Sequence, residues 1–177
     1  MRLLTLAAAL ALPLSAFAAG SDDPEPPKPT NTTKTCKGVK IWDADKGRCV
    51  RPKNSSLDQD GLYGAVRELA YAGRYGDAQG VLRAMADQQD SRVLTYWGFT
   101  HRKLGRTDLA DLYYTQAIAQ DPDNLLARSY LGQGFVEAGQ PAQALGQWKE
   151  IRARGGAGTW AETSLRQTLE NGATSTY

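Results

Sequence analysis

The chain has one histidine, His101, and two cysteines, Cys36 and Cys49. His101 falls inside a segment of helical periodicity, where it reads as a packing residue, and the cysteines read as a pair. Serine-histidine-aspartate triads, cysteine-histidine pairs and zinc-binding sets therefore lack members. No Gly-Lys-Ser/Thr ending follows a strand, so phosphate-cradling loops are excluded, and Gly155-Gly156-Ala157-Gly158 reads as a plain loop. A formal net charge of +2 with mixed signs excludes a bulk polycation for nucleic acid. Beyond the first residues no run is apolar enough to span a bilayer. The expectation is a protein without catalysis and without a cofactor.

What is present starts with a leader. MRLLTLAAALALPLSAFAAG has Arg2, an apolar run over 3–14 and the small-residue ending Ala16-Phe17-Ala18, the layout of a secretory signal peptide over 1–19. This implies export to a periplasmic or secreted location in the bacterial style, with no membrane insertion after cleavage. No lipid-acceptor cysteine follows the run. From 20 to 35 the composition shifts to Pro24, Pro26, Pro27 and Pro29 with no large apolar residue, which predicts a disordered, extended linker.

In an oxidising compartment an even cysteine count predicts a Cys36 to Cys49 disulfide closing a small hairpin over 36–51. Such a loop is stabilised by about 3 kcal/mol on the chain-entropy account. Val39, Ile41 and Trp42 favour strand, and Asp45-Lys46-Gly47 favours a turn. Two roles are open for it: a clip docking Trp42 on the rest of the chain, or a cell-wall or glycan-binding module with Trp42 as stacking platform. Asp43-x-Asp45 is not a calcium loop, since Gly47 takes the third acidic position and no Glu stands at the twelfth. Ser56 with Gln59 predicts a capping box opening the first long helix.

From Leu57 onward no convincing strand appears, and helical segments alternate with breaks at Gly73, Gly105 and Gly139, 32 and 34 residues apart. Periods of this size indicate stacked helix pairs. Residues 91–124 carry Trp97, Gly98, Gly105, Ala110, Tyr114, Ala117 and Pro122, and residues 125–158 carry Leu131, Gly132, Phe135, Gly139, Ala144, Trp148 and Ile151. The copy over 59–90 keeps Gly73, Tyr75, Ala78 and Leu82. This pattern resembles tetratricopeptide repeats (TPR). The resemblance implies an all-α solenoid of three helix hairpins over 57–172. Thr159-Trp160-Ala161-Glu162 predicts a capping helix over 159–171, stopped at Asn171-Gly172. Gly98 opposite Ala110, and Gly132 opposite Ala144, are expected to let the helices of a pair approach.

The resemblance further implies a concave groove lined by the first helix of each pair. Residues sharing that face are Tyr63, Arg67 and Tyr71, then Arg92, Thr95, Phe99, Arg102 and Lys103, then Ser129, Gln133, Val136 and Glu137. Aromatics interleaved with cations suit a peptide or protein partner with acidic or C-terminal carboxylate groups. Thr95 and Phe99 stand at two positions of the family's two-carboxylate clamp, so that recognition mode is not expected. Function is thus expected as non-catalytic protein-protein interaction, with wall or glycan binding through the hairpin as the alternative.

Overall fold

The computed structural model describes residues 27–172. The leader expected over 1–19 lies outside them, as does the start of the expected linker. The rest of that linker is not a free tether. From Thr30 the chain enters a single helical turn, α1 (Asn31–Lys34), with Thr32 buried and the Thr30 hydroxyl capping its start. The order comes from a distant residue. Glu68 accepts hydrogen bonds from the backbone N–H groups of Thr30 (2.7 Å) and Thr33 (3.0 Å) and from both hydroxyls.

A two-stranded antiparallel hairpin follows, β1 (Ile41–Asp43) and β2 (Arg48–Val50), in register Ile41 to Val50 and Trp42 to Cys49. The Cys36–Cys49 disulfide is formed, with its Cα atoms 5.6 Å apart. The docking surface differs from the one expected. Strand alternation turns Ile41 and Asp43 inward and leaves Trp42 half-buried, so Ile41 and Val50 join the main core instead. Val39 lies against Gly80, where an added Cβ would collide with its side chain. Arg74 completes the attachment by donating to the carbonyls of Thr32 (3.3 Å), Cys36 (2.9 Å) and Gly38 (2.8 Å).

Asp43 acts as an internal anchor. Its carboxylate accepts from the Ser56 N–H and hydroxyl, both at 2.8 Å, and from the Lys46 N–H at 3.1 Å. Burial alone would raise this carboxyl, but those hydrogen bonds win and hold it at about 2. Ser56 is therefore occupied and does not cap the next helix. Asp58 does, accepting from Gly61 N–H at 2.8 Å, because its charged carboxylate sits directly before the first turn.

Three helix pairs follow: α2 (Gln59–Tyr71) with α3 (Tyr75–Leu82), α4 (Ser91–Lys103) with α5 (Thr107–Gln120), and α6 (Leu125–Glu137) with α7 (Pro141–Ala153). Within each pair the turn passes through a left-handed glycine, Gly73, Gly105 or Gly139, at φ +72°, +75° and +72°. Only glycine adopts that angle without strain, which is why the period was visible as glycines. The first helices α2, α4 and α6 are also neighbours of one another, giving a helical repeat-like stack.

The last helix, α8 (Trp160–Asn171), packs on both α6 and α7. Thr159 caps it by accepting from Glu162 N–H, and Gly172 ends it at φ +64°. The close approach at Gly98 is to the Tyr114 ring, 2.6 Å from an added Cβ. At Gly132 it is to Leu165 of α8, also 2.6 Å, where Ala144 of α7 was expected.

Candidate functional site

The face proposed as a groove is built from the first helices. A chain of rings runs across them. Tyr63 on α2 meets Tyr96 on α4 edge-on at 5.5 Å, Tyr71 stacks on Phe99 at 6.2 Å, Phe99 meets Tyr130 on α6 at 4.8 Å, and Tyr130 meets Trp160 on α8 at 6.2 Å. The Tyr71 and Tyr130 hydroxyls are hydrogen-bonded at 3.2 Å. Such contacts are worth about 0.5–1.5 kcal/mol each beyond area burial.

This layer changes the standing of the expected groove residues. Tyr63, Arg67, Phe99, Arg102 and Gln133 are buried, with Phe99 at 1% and Gln133 at 0% exposure. They are packing between adjacent first helices and do not form an open floor. Spacing four residues apart does place them on one face of each helix, as expected, but the neighbouring first helix covers that face. Gln133 has its amide committed, donating to Ser164 Oγ at 3.1 Å and accepting from Arg102 at 3.2 Å. Thr95 is enclosed by Asn124, which donates to it at 2.9 Å and to Ser91 at 2.7 Å while capping α6 through Ala127 N–H.

Tyr71, Arg92 and Lys103 remain half-buried and reach the surface. Arg92 and Lys103 are eleven residues apart on α4, which is three turns plus about 20° and roughly 16 Å along the axis, so they share a face. Each cation is held over a ring, Arg92 over Tyr63 at 4.9 Å and Lys103 over Phe99 at 5.7 Å. Hydrogen bonding to Asp90, against the cost of burial and with help from Asp60, keeps the Arg92 guanidinium charged, pushed above its ordinary range. Burial and the adjacent Arg102 lower the Lys103 ammonium. Arg102 itself is buried and paired with Glu137 at 3.2 Å.

His101 is 7% exposed and forms a three-ring cluster with Trp97 at 5.8 Å and Tyr113 at 5.4 Å, rings that are themselves 5.8 Å apart. Burial first, and Arg106 second, lower its imidazole. Burial and then Asp108 raise the Asp111 carboxyl, which stays half-buried near Arg102. Among the described residues no three His, Cys, Asp or Glu side chains are grouped to hold a metal ion, and no helix is long and apolar enough to cross a membrane.

A second concavity was not anticipated. The hairpin and α3 enclose a cleft of about 950 Å³ into which Lys37, Lys40, Arg51, Lys53 and Arg83 converge. These residues are scattered over 47 positions without a motif, and folding alone gathers them. Their concentration in the hairpin was the one available signal. No known protein family, characterised protein or solved structure was found to match the chain.

Proposed function

We propose that the protein is a non-catalytic binding module of the TPR type, exported to a periplasmic or secreted location, that holds a protein or peptide partner along the first-helix side of an α-solenoid. The observation that carries this reading is the pair Arg92 and Lys103. Both reach solvent at opposite ends of one helix face, each fixed over a buried ring. Lys103 makes no ion pair among the described residues, and Arg92, bridged to Asp90 and to the exposed Asp60 at 3.1 Å each, would exchange Asp60 for a partner's carboxylate. The disulfide supports an oxidising compartment.

Crosslinking in intact cells, followed by mass spectrometry, identifies the partner, and capture by purified variants then tests the face. Arg92→Gln with Lys103→Glu should weaken capture, and undiminished capture by the folded variant overturns the reading. Arg102 is unsuited to this test, because reversing a buried, paired guanidinium attacks the fold itself.

One observation favours the alternative, wall or glycan binding by the hairpin. Trp42 lies on the strand face opposite Ile41 and is half-buried, leaving part of the residue accessible to a sugar. Sedimentation with purified wall material distinguishes the two: loss of binding in Trp42→Ala supports this reading, and its retention removes it.

A further inference from the structure

The strongest charge asymmetry lies away from the first-helix face. Residues 34–54 hold seven Lys or Arg against two Asp, in a chain whose formal net charge is +2. One of the two, Asp43, is buried in its own hydrogen bonds. Folding gathers four of the cations, Lys37, Lys40, Arg51 and Lys53, around the cleft with Arg83, the residue that follows α3. All five are exposed, none is ion-paired with a carboxylate among the described residues, and no Asp or Glu lines the cleft. Converging like charges between low-dielectric walls focus a field that draws in anions.

The cleft also has an apolar floor, made by Val39, Pro52, Gly80 and Ala84. Val39 is 37% exposed, so part of this floor is open to an apolar group. The lining has no aromatic ring on which a sugar would stack, and a flat bilayer cannot reach the floor of a concavity. At about 950 Å³ the cleft is at the upper end of the range of ligand-binding clefts.

We propose that this cleft docks an extended acidic peptide of a partner protein, its carboxylates on the cationic walls and a small apolar side chain on Val39 and Ala84. The inference rests on the partner-binding reading in general but not on the first-helix face, and the two fail separately.

The test uses residues 20–177 with the disulfide intact and a fluorescein-labelled peptide, Glu-Ala-Glu-Val-Glu-Ala-Glu, beside its Gln counterpart, read by fluorescence polarisation. The acidic peptide should bind with an affinity that falls as salt rises, and the Gln peptide should not. Arg51→Glu with Lys53→Glu, and separately Lys37→Glu with Lys40→Glu, should each weaken binding by about tenfold or more. Lys149→Glu, exposed on α7 and part of neither the first-helix face nor the cleft, should leave it unchanged. Equal binding of the Gln peptide, or unchanged affinity in either double variant with native circular dichroism, overturns the proposal. Competition by dextran sulfate as strong as that of unlabelled peptide at equal charge also overturns it. Binding that emerges only after removal of residues 20–26 would assign the cleft to the chain's own Asp22, Asp23 and Glu25, and likewise overturns it.

Discussion

Glu68 and Arg74, six residues apart across the end of α2, hold one stretch of backbone from its two chemical sides. Glu68 accepts from the N–H and hydroxyl groups of Thr30 and Thr33, and Arg74 donates to the carbonyls of Thr32, Cys36 and Gly38. The segment before the hairpin thus owes its order to charged partners on the first helix pair. Glu68→Ala should release it, destabilising the chain by about 1–3 kcal/mol. Hydrogen exchange should then lose protection at Thr30 and Thr33 while α6 and α7 keep theirs.

The Asp43 carboxyl titrates at about 2 in the folded chain against an ordinary value of 3.8. A depressed carboxyl contributes stability that is complete above 3.8 and is lost as pH falls toward 2. Urea unfolding midpoints should decline through that window, and the Asp43→Asn variant, weaker at neutral pH, should decline less.

His101 has the opposite charge type and the same direction of loss. Its imidazole is lowered from 6.5 by burial, so the neutral form is favoured and stability is lost as pH falls below 6.5. Nuclear magnetic resonance titration should place its pKa under the ordinary value. His101→Phe, which keeps a ring beside Trp97 and Tyr113, should remove that part of the pH dependence.

Two helical glycines separate packing from propensity. Gly98→Ala puts a methyl 2.6 Å from the Tyr114 ring and should destabilise by about 1–3 kcal/mol. At Gly146 in α7 nothing lies within 4 Å of an added Cβ, so Gly146→Ala should stabilise by about 0.5–1 kcal/mol. Thermal unfolding of both variants checks the contrast.

Cys36→Ser with Cys49→Ser should lower stability by about 3 kcal/mol or less, since Ile41, Val50 and the Arg74 hydrogen bonds still hold the hairpin. Reduction of the native chain should reproduce the double variant in denaturant unfolding.

The helix pairs could be read in advance because their signals are local. Gly73, Gly105 and Gly139 mark turns only glycine makes easily, and Thr159 with Glu162 announces the start of α8 within four residues. The hairpin and its disulfide were legible for the same reason. What could not be read depends on distant partners. Nothing near Thr30 reveals Glu68, and nothing near Ser56 says that Asp43 takes its hydroxyl and leaves the cap to Asp58. Spacing places Phe99 and Gln133 on one side of their helices, whereas only the closeness of α2, α4, α6 and α8 decides that this side is covered. The cationic cleft was missed because Lys37 and Arg83 belong to separate elements whose approach depends on Val39 fitting over Gly80.

That fit of Val39 over Gly80, with Arg74 beside it and α8 seated on Gly132 at the other end, makes the assembly finite. A further helix pair would find the hairpin across the α3 side and Leu165 already filling the hollow above α6. Among the described residues, the two ends of the helix pairs are thus each covered by part of the same chain, the hairpin on α3 and α8 on α6, and a helix pair added at either end would have to displace one of them.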